Sequence, residues 1–289
     1  MLVLLAFAWG LSWPFMKIAL DEVGVWWLRF LGLSIGAASL FVLIRLQRRD
    51  PSIARGSARA HLVAACAVNV IGFGLFASFA QLAAATSRVV IVNYSMPVWA
   101  SLMAWLVLGE RLDLRAGIGL VLCAGGLAAL VVPAMEAHAA TGLLLALGCA
   151  LCWAAGTVYM KWAKIPGDLL TITAWQLALG AVVFAAGLLI FQGTALPASV
   201  TWQGVLAVLF TGLIGVGLAY LLWFAIIERL STATASLGSL ATPVVGVGSS
   251  MLMLGERPTL ADTIGFVLIL AAAACVLVPG RIRPAAPEL

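Results

Sequence analysis

Residues 97–122 read PVWASLMAWLVLGERLDLRAGIGLVL, and residues 243–268 read PVVGVGSSMLMLGERPTLADTIGFVL. A shift of 146 positions (243 − 97) places Pro97 on Pro243, Gly109-Glu110-Arg111 on Gly255-Glu256-Arg257 and Gly119 on Gly265 without a gap. Coincident Leu and Val carry little weight in so apolar a chain. The proline, the Gly-Glu-Arg triplet and the second glycine at fixed spacing carry it, and they mark an internal repeat. Each copy reads as an apolar helix with a proline, a break, and a second apolar helix. Gly109 and Gly255 suit left-handed helix caps, Asp113 or Thr259 can N-cap the next helix, and Thr259 with Asp262 has capping-box spacing. Glu110 and Glu256 then fall near that helix's positive end. This turn-and-dipole role stands beside a role with substrate or protons.

The rest of the chain is equally apolar. Hydrophobic residues make up 64% of its 289 positions, charged residues 9%, and mean hydropathy is +1.15, which excludes an ordinary soluble domain. A helix crosses a bilayer with about 17–25 apolar residues. Such stretches fall at 2–20, 23–45, 60–84, 87–108, 114–133, 140–162, 169–192, 202–226, 232–254 and 260–279, so an all-α membrane protein with ten spans is predicted. The first stretch lacks the basic start and small-residue cleavage site of a signal peptide and is expected to be retained.

The net charge of +5 does not form a basic face, so nucleic acid is not an expected partner; the charges report topology instead. With the N-terminus inside, twelve cations fall on the cytoplasmic side: Arg45, Arg48, Arg49, Arg55, Arg59, Arg111, Arg115, Lys161, Lys164, Arg229, Arg281 and Arg283. Four fall opposite: Lys17, Arg29, Arg88 and Arg257. Both termini are therefore expected in the cytoplasm. Trp26, Trp27 and Arg29 read as interfacial anchors. The five cysteines lie inside spans, where packing is the expectation even for Cys149 and Cys152.

The repeat extends beyond its doubled turn. Trp153, Gly156, Met160 and Lys161 match Trp9, Ser12, Met16 and Lys17 at an offset of 144, which divides the chain into halves 1–135 and 136–289. Five spans per half is an odd number, so the second half enters the membrane in the opposite sense. Inverted repeats around a shared central cavity are the architecture of secondary transporters, and alternating access follows from their symmetry.

A substrate would meet polar and aromatic side chains that lipid rejects. The candidates are Trp9 and Trp13 in span one, Ser78 and Gln81 in span three, and Asn93, Tyr94, Pro97 and Trp99 in span four. The second half offers Trp153, Tyr220, Trp223, Ser239, Thr242 and Pro243. Asn93 and Pro97 share a helical face, whereas Trp99 lies two residues further round. Each proline removes a backbone donor, either to shape the helix or to offer a carbonyl to a ligand. Aromatic rings can wall in planar groups or hold an ammonium. All eleven acids fall at span ends or in loops, which disfavours obligatory proton coupling, since a proton pump usually needs an ionisable group at depth. Lys161 is the foremost buried-charge candidate, with snorkelling to the interface as the alternative.

The ten spans, the two five-helix units, Trp153 to Lys161, and the doubled Pro and Gly-Glu-Arg elements resemble the EamA family of the drug/metabolite transporter superfamily. Within it the chain is most similar to the YddG-type amino acid exporters. The resemblance implies a ten-helix inverted-repeat bundle with a cavity lined mainly by spans one, three, four, six, eight and nine.

No nucleotide-phosphate loop, zinc-ligand spacing or nucleophile elbow occurs, and His61 and His138 stand apart, so neither catalysis nor a metal or cofactor is expected. The expected function is export of small organic metabolites, amino acids including aromatic ones, across an inner membrane. Purines, drugs or other metabolites are alternative cargoes, and a membrane-embedded lipid-modifying enzyme is the alternative class. The expected partners are the small-molecule substrate and the lipid bilayer; the oligomeric state is not legible.

Overall fold

The computed structural model describes residues 1–136, 140–195, 200–227, 229 and 240–277. Among these, every regular element is helical: α1 Leu2–Leu46, α2 Ser57–Ala83, α3 Thr86–Leu108, α4 Leu114–Glu136, α5 Thr141–Ala163, α6 Leu169–Gln192, α7 Trp202–Ile226, α8 Ala241–Leu254 and α9 Leu260–Leu277. Eight of them are long and apolar enough to cross a membrane, and α8 is a shorter apolar helix. Side chains such as Val121 and Leu252, 73% and 88% exposed, lie on the outside, as a lipid-facing surface requires.

The first two predicted spans form one element. Forty-five helical residues would measure roughly 67 Å at 1.5 Å per residue, about twice a bilayer's hydrocarbon core. Gly24, at φ 77° and ψ 175°, divides α1 into two legs of spanning length. This backbone conformation is open to glycine and strained for other residues. Gln192 at the end of α6 packs against Gly24, and its Nε2 donates to the Val23 carbonyl over 2.8 Å. That bond satisfies an acceptor at the end of the first leg.

The doubled stretch has matching geometry in both copies. Gly109 (φ 69°, ψ 20°) and Gly255 (φ 68°, ψ 20°) both close their helices in the left-handed conformation. The Asp113 carboxylate accepts from the Ala116 N–H at 2.9 Å. Asp262 accepts from the Thr259 N–H at 2.8 Å while its own N–H donates to the Thr259 hydroxyl, completing a reciprocal cap. A second correspondence was not visible in sequence. Helix α2 contains a π-helical segment at Ala67–Gly72, and α7 contains one at Phe210–Leu218.

The first leg of α1 packs against α7 and α8, and the second against α6 and α7, while α4 and α9 pair at the side of the bundle. Gly10 makes the approach to α8 possible, since a Cβ there would lie 2.7 Å from Val245. The main core gathers Trp13, Leu20, Leu28, Val89, Tyr94 and Cys149. The end of the bundle that holds Gly24 is laced by polar contacts. Glu22 accepts from the N–H and hydroxyl of Thr201 at 2.8 and 2.6 Å. Glu256 accepts from the N–H groups of Thr86 and Ser87 at 2.6 and 2.8 Å. Its helix-dipole partner is therefore α3, 170 residues earlier, and not the helix that follows it in sequence. At the other end Arg49 pairs with Asp168 at 2.8 Å, and Glu110 pairs with Lys161. The hydroxyl and N–H of Ser52 hold the nearby Asp50 carboxyl below its usual range.

Candidate functional site

The cavity begins with Pro97. Lacking an N–H, it cannot bond the carbonyl of Asn93, and α3 breaks between Thr86–Asn93 and Met96–Leu108. Tyr94 (φ −74°, ψ 5°) turns the chain there. The Ser95 hydroxyl donates to the Val92 carbonyl at 2.7 Å, replacing part of the lost ladder. This break at mid-helix presents Asn93 and Tyr94 to a cavity of about 180 Å³. For scale, a dry engineered cavity of about 150 Å³ holds benzene.

Both π-helical segments contribute to the same wall, Asn69 and Val70 from α2 and Thr211, Gly215 and Val216 from α7. A π turn adds a residue to the helical turn and re-aims the side chains around it, and such turns frequently occur at functional sites. The aromatic lining joins the two halves. Trp9 meets Tyr220 edge to face, with centroids 6.4 Å apart, and Phe73 meets Trp153 at 5.1 Å. Ser12, Trp13, Met16, Arg29, Leu33, Met96 and Leu177 complete the wall. Among the described residues no carboxylate lines it.

Of the residues singled out in sequence, the cavity brings together Trp9, Trp13, Asn93, Tyr94, Trp153 and Tyr220. The others lie off it. Ser78 is buried one layer behind, donating to the Gly74 carbonyl at 2.8 Å. Gln81 is fully buried, with neither amide atom bonded among the described residues. Pro97 acts through the break. Trp99 donates to the Ser95 hydroxyl at 2.9 Å and packs beside Val98, Cys123 and Ala272, away from the cavity. Trp223 supports Trp9 from behind, 5.8 Å between centroids. Thr242 and Pro243 are buried in α8, and Ser239 lies outside the described residues.

Two charges fall elsewhere than expected. Lys161 is exposed and paired with Glu110, so it is not a buried charge. Arg29 is no interfacial anchor. It lines the cavity from the second leg of α1, its Nε donating to the Ser78 hydroxyl at 2.7 Å and a terminal nitrogen to the Met16 sulfur at 3.0 Å. Asn69 escaped notice as well; a lone amide inside an apolar span was its signal.

Comparison with known proteins agrees with this architecture. The sequence pattern of the EamA-like transporter family matches residues 1–132 and 140–278. The chain is 28% identical to the "Uncharacterized transporter YoaV" of Bacillus subtilis, over 90% of both proteins. It is 25% identical to a "Probable amino-acid metabolite efflux pump" of Escherichia coli, over 88% of this chain and 91% of that protein. A crystal structure with 23% sequence identity superimposes with a TM-score of 0.66, covering 95% of this chain and 96% of the other, a likeness of fold. With nearly its whole length matched by the family pattern, the chain belongs to the EamA-like transporter family.

Proposed function

We propose that the protein exports small organic metabolites, amino acids and aromatic ones among them, across a bacterial-type inner membrane by alternating access without obligatory proton coupling. The observation that carries this reading is a mid-depth cavity walled by aromatic rings from both halves and lined, among the described residues, by no carboxylate. Aromatic faces favour planar and apolar groups by area and ring geometry, and an ammonium by cation–π attraction. A proton-driven pump would usually place an ionisable acid at this depth. The name of the Escherichia coli relative, an amino-acid metabolite efflux pump, supports the cargo class.

The mechanism rests on halves 1–135 and 136–289 being related by inversion. The paired left-handed caps, the paired π-helical segments and the two stretches matched by the family pattern support that relation. Rocking one half against the other around the fixed cavity would open it to each side in turn. The cation distribution supports cytoplasmic termini.

Uptake of labelled amino acids into proteoliposomes holding only this protein is the test. Saturable uptake of phenylalanine or another amino acid is expected. Folded protein that moves none of the proteinogenic amino acids would overturn the reading.

A further inference from the structure

Arg29 is a cation inside the bundle with no counter-ion among the described residues. Guanidinium carries five N–H donors. Its two hydrogen bonds among the described residues go to the Ser78 hydroxyl and to the Met16 sulfur, a weak acceptor. Ser78 spends its own proton on the Gly74 carbonyl, so its oxygen is fixed as an acceptor and positions the guanidinium. No carboxylate among the described residues pairs with Arg29. An unpaired charge at such a place is costly, and proteins ordinarily match it.

A complementary group belongs to another residue of the same lining. Asn93, 3% exposed, has an amide oxygen with no hydrogen-bond partner among the described residues. Asn69 lines the cavity too, but its amide oxygen packs against Gly156 of α5 and its amide nitrogen is directed towards the Gln176 oxygen at 3.5 Å. The site therefore offers free donors of positive charge together with an orphaned acceptor at Asn93, beside aromatic faces.

We infer that Arg29 is the carboxylate receptor of the cavity and that the Asn93 oxygen, helped by the aromatic faces, receives an ammonium, so that the substrate is bound as a zwitterionic α-amino acid. Two parallel N–H···O bonds from a guanidinium suit a carboxylate, and charge-assisted bonds are the strong ones. Ser78 is a positioning residue. Trp153 and Tyr94 lie along the same wall, where a side chain would rest. This assignment rests on the transporter reading and specifies its substrate.

Binding to detergent-purified protein, followed by tryptophan fluorescence, separates the two. Phenylalanine is compared with phenylalaninamide, which keeps the ring and the ammonium and lacks the carboxylate, and with 3-phenylpropionate, which lacks the ammonium. Wild-type protein is expected to bind phenylalanine at least about tenfold more tightly than either analogue, the scale of a lost charge-assisted hydrogen bond. In R29Q the preference over the amide is expected to fall towards unity, with R29K retaining part of it. Equal binding of acid and amide by wild-type protein, or an unchanged preference in a monodisperse R29Q, would overturn the assignment. If R29Q fails to fold, the wild-type comparison decides alone. Phenylalanine uptake with no acid-to-amide preference would leave the transporter reading standing without this assignment. Discriminating binding without flux of any amino acid would do the reverse, and absence of all binding would overturn this one too.

Discussion

Arg88 at the start of α3 grips Asp262 at the start of α9 through two nitrogens, 2.7 and 3.1 Å from the two carboxylate oxygens. The pair joins residues 174 positions apart and lies beside the contact of Glu256 with Thr86 and Ser87. The second copy of the doubled stretch therefore ties itself to the start of α3, as well as forming its own turn.

Replacing Asp262 by Ala is expected to cost about 2–3 kcal/mol. This is less than a fully buried pair would cost, because the Arg88 side chain is 35% exposed while that of Asp262 is 4% exposed. The loss should appear as lower thermal stability in detergent, with part of it recovered when Arg88 is also replaced. An unchanged melting curve would show that the pair contributes nothing.

Gly24→Ala tests the junction of the two legs. A Cβ at φ 77° would be strained and would meet the Gln192 amide 2.9 Å away, so a loss of roughly 1–3 kcal/mol is expected. Gln192→Ala removes the bond to Val23 while keeping the glycine, and should cost about 1 kcal/mol by the same melting measurement.

Pro97→Ala restores a donor to the Asn93 carbonyl and should let α3 run straight through the Tyr94 turn. The protein is expected to fold and to lose about tenfold or more in transport, because Asn93 and Tyr94 would be re-aimed and small misplacements are costly. Wild-type flux in this variant would separate the break from function.

Trp153→Ala and Tyr94→Ala each remove a part of the aromatic wall. Each should raise the half-saturation concentration for phenylalanine about fivefold or more, from lost ring area and ring contacts. Leu145, packed against the core away from the cavity, makes a suitable control position. Full activity in both wall variants would remove them from the site.

Much of this architecture is legible in the sequence because lipid enforces it. Long apolar runs with charges between them place the ends of α2, α3, α5, α6 and α7 within a few residues of those observed. The proline and Gly-Glu-Arg spacing anticipates the α3 break and the two left-handed caps. What escapes is the direction of single side chains. Arg29 lies five residues beyond Gly24, which on composition alone suits an interfacial anchor, and only the fold shows it turned towards Ser78. The π-helical segments leave no mark in hydropathy, so Asn69 and Thr211 could not be placed on the wall. Trp99 follows the expectation from helical spacing that it faces away from Asn93.

The most direct measurement is counterflow in proteoliposomes at equal pH on both sides, with ionophores present, unlabelled phenylalanine inside and labelled phenylalanine outside. A carrier alternating around one uncoupled site predicts transient accumulation of label above its equilibrium level, driven by the outward gradient alone. Label that only equilibrates, or that enters only when a proton gradient is imposed, would contradict it.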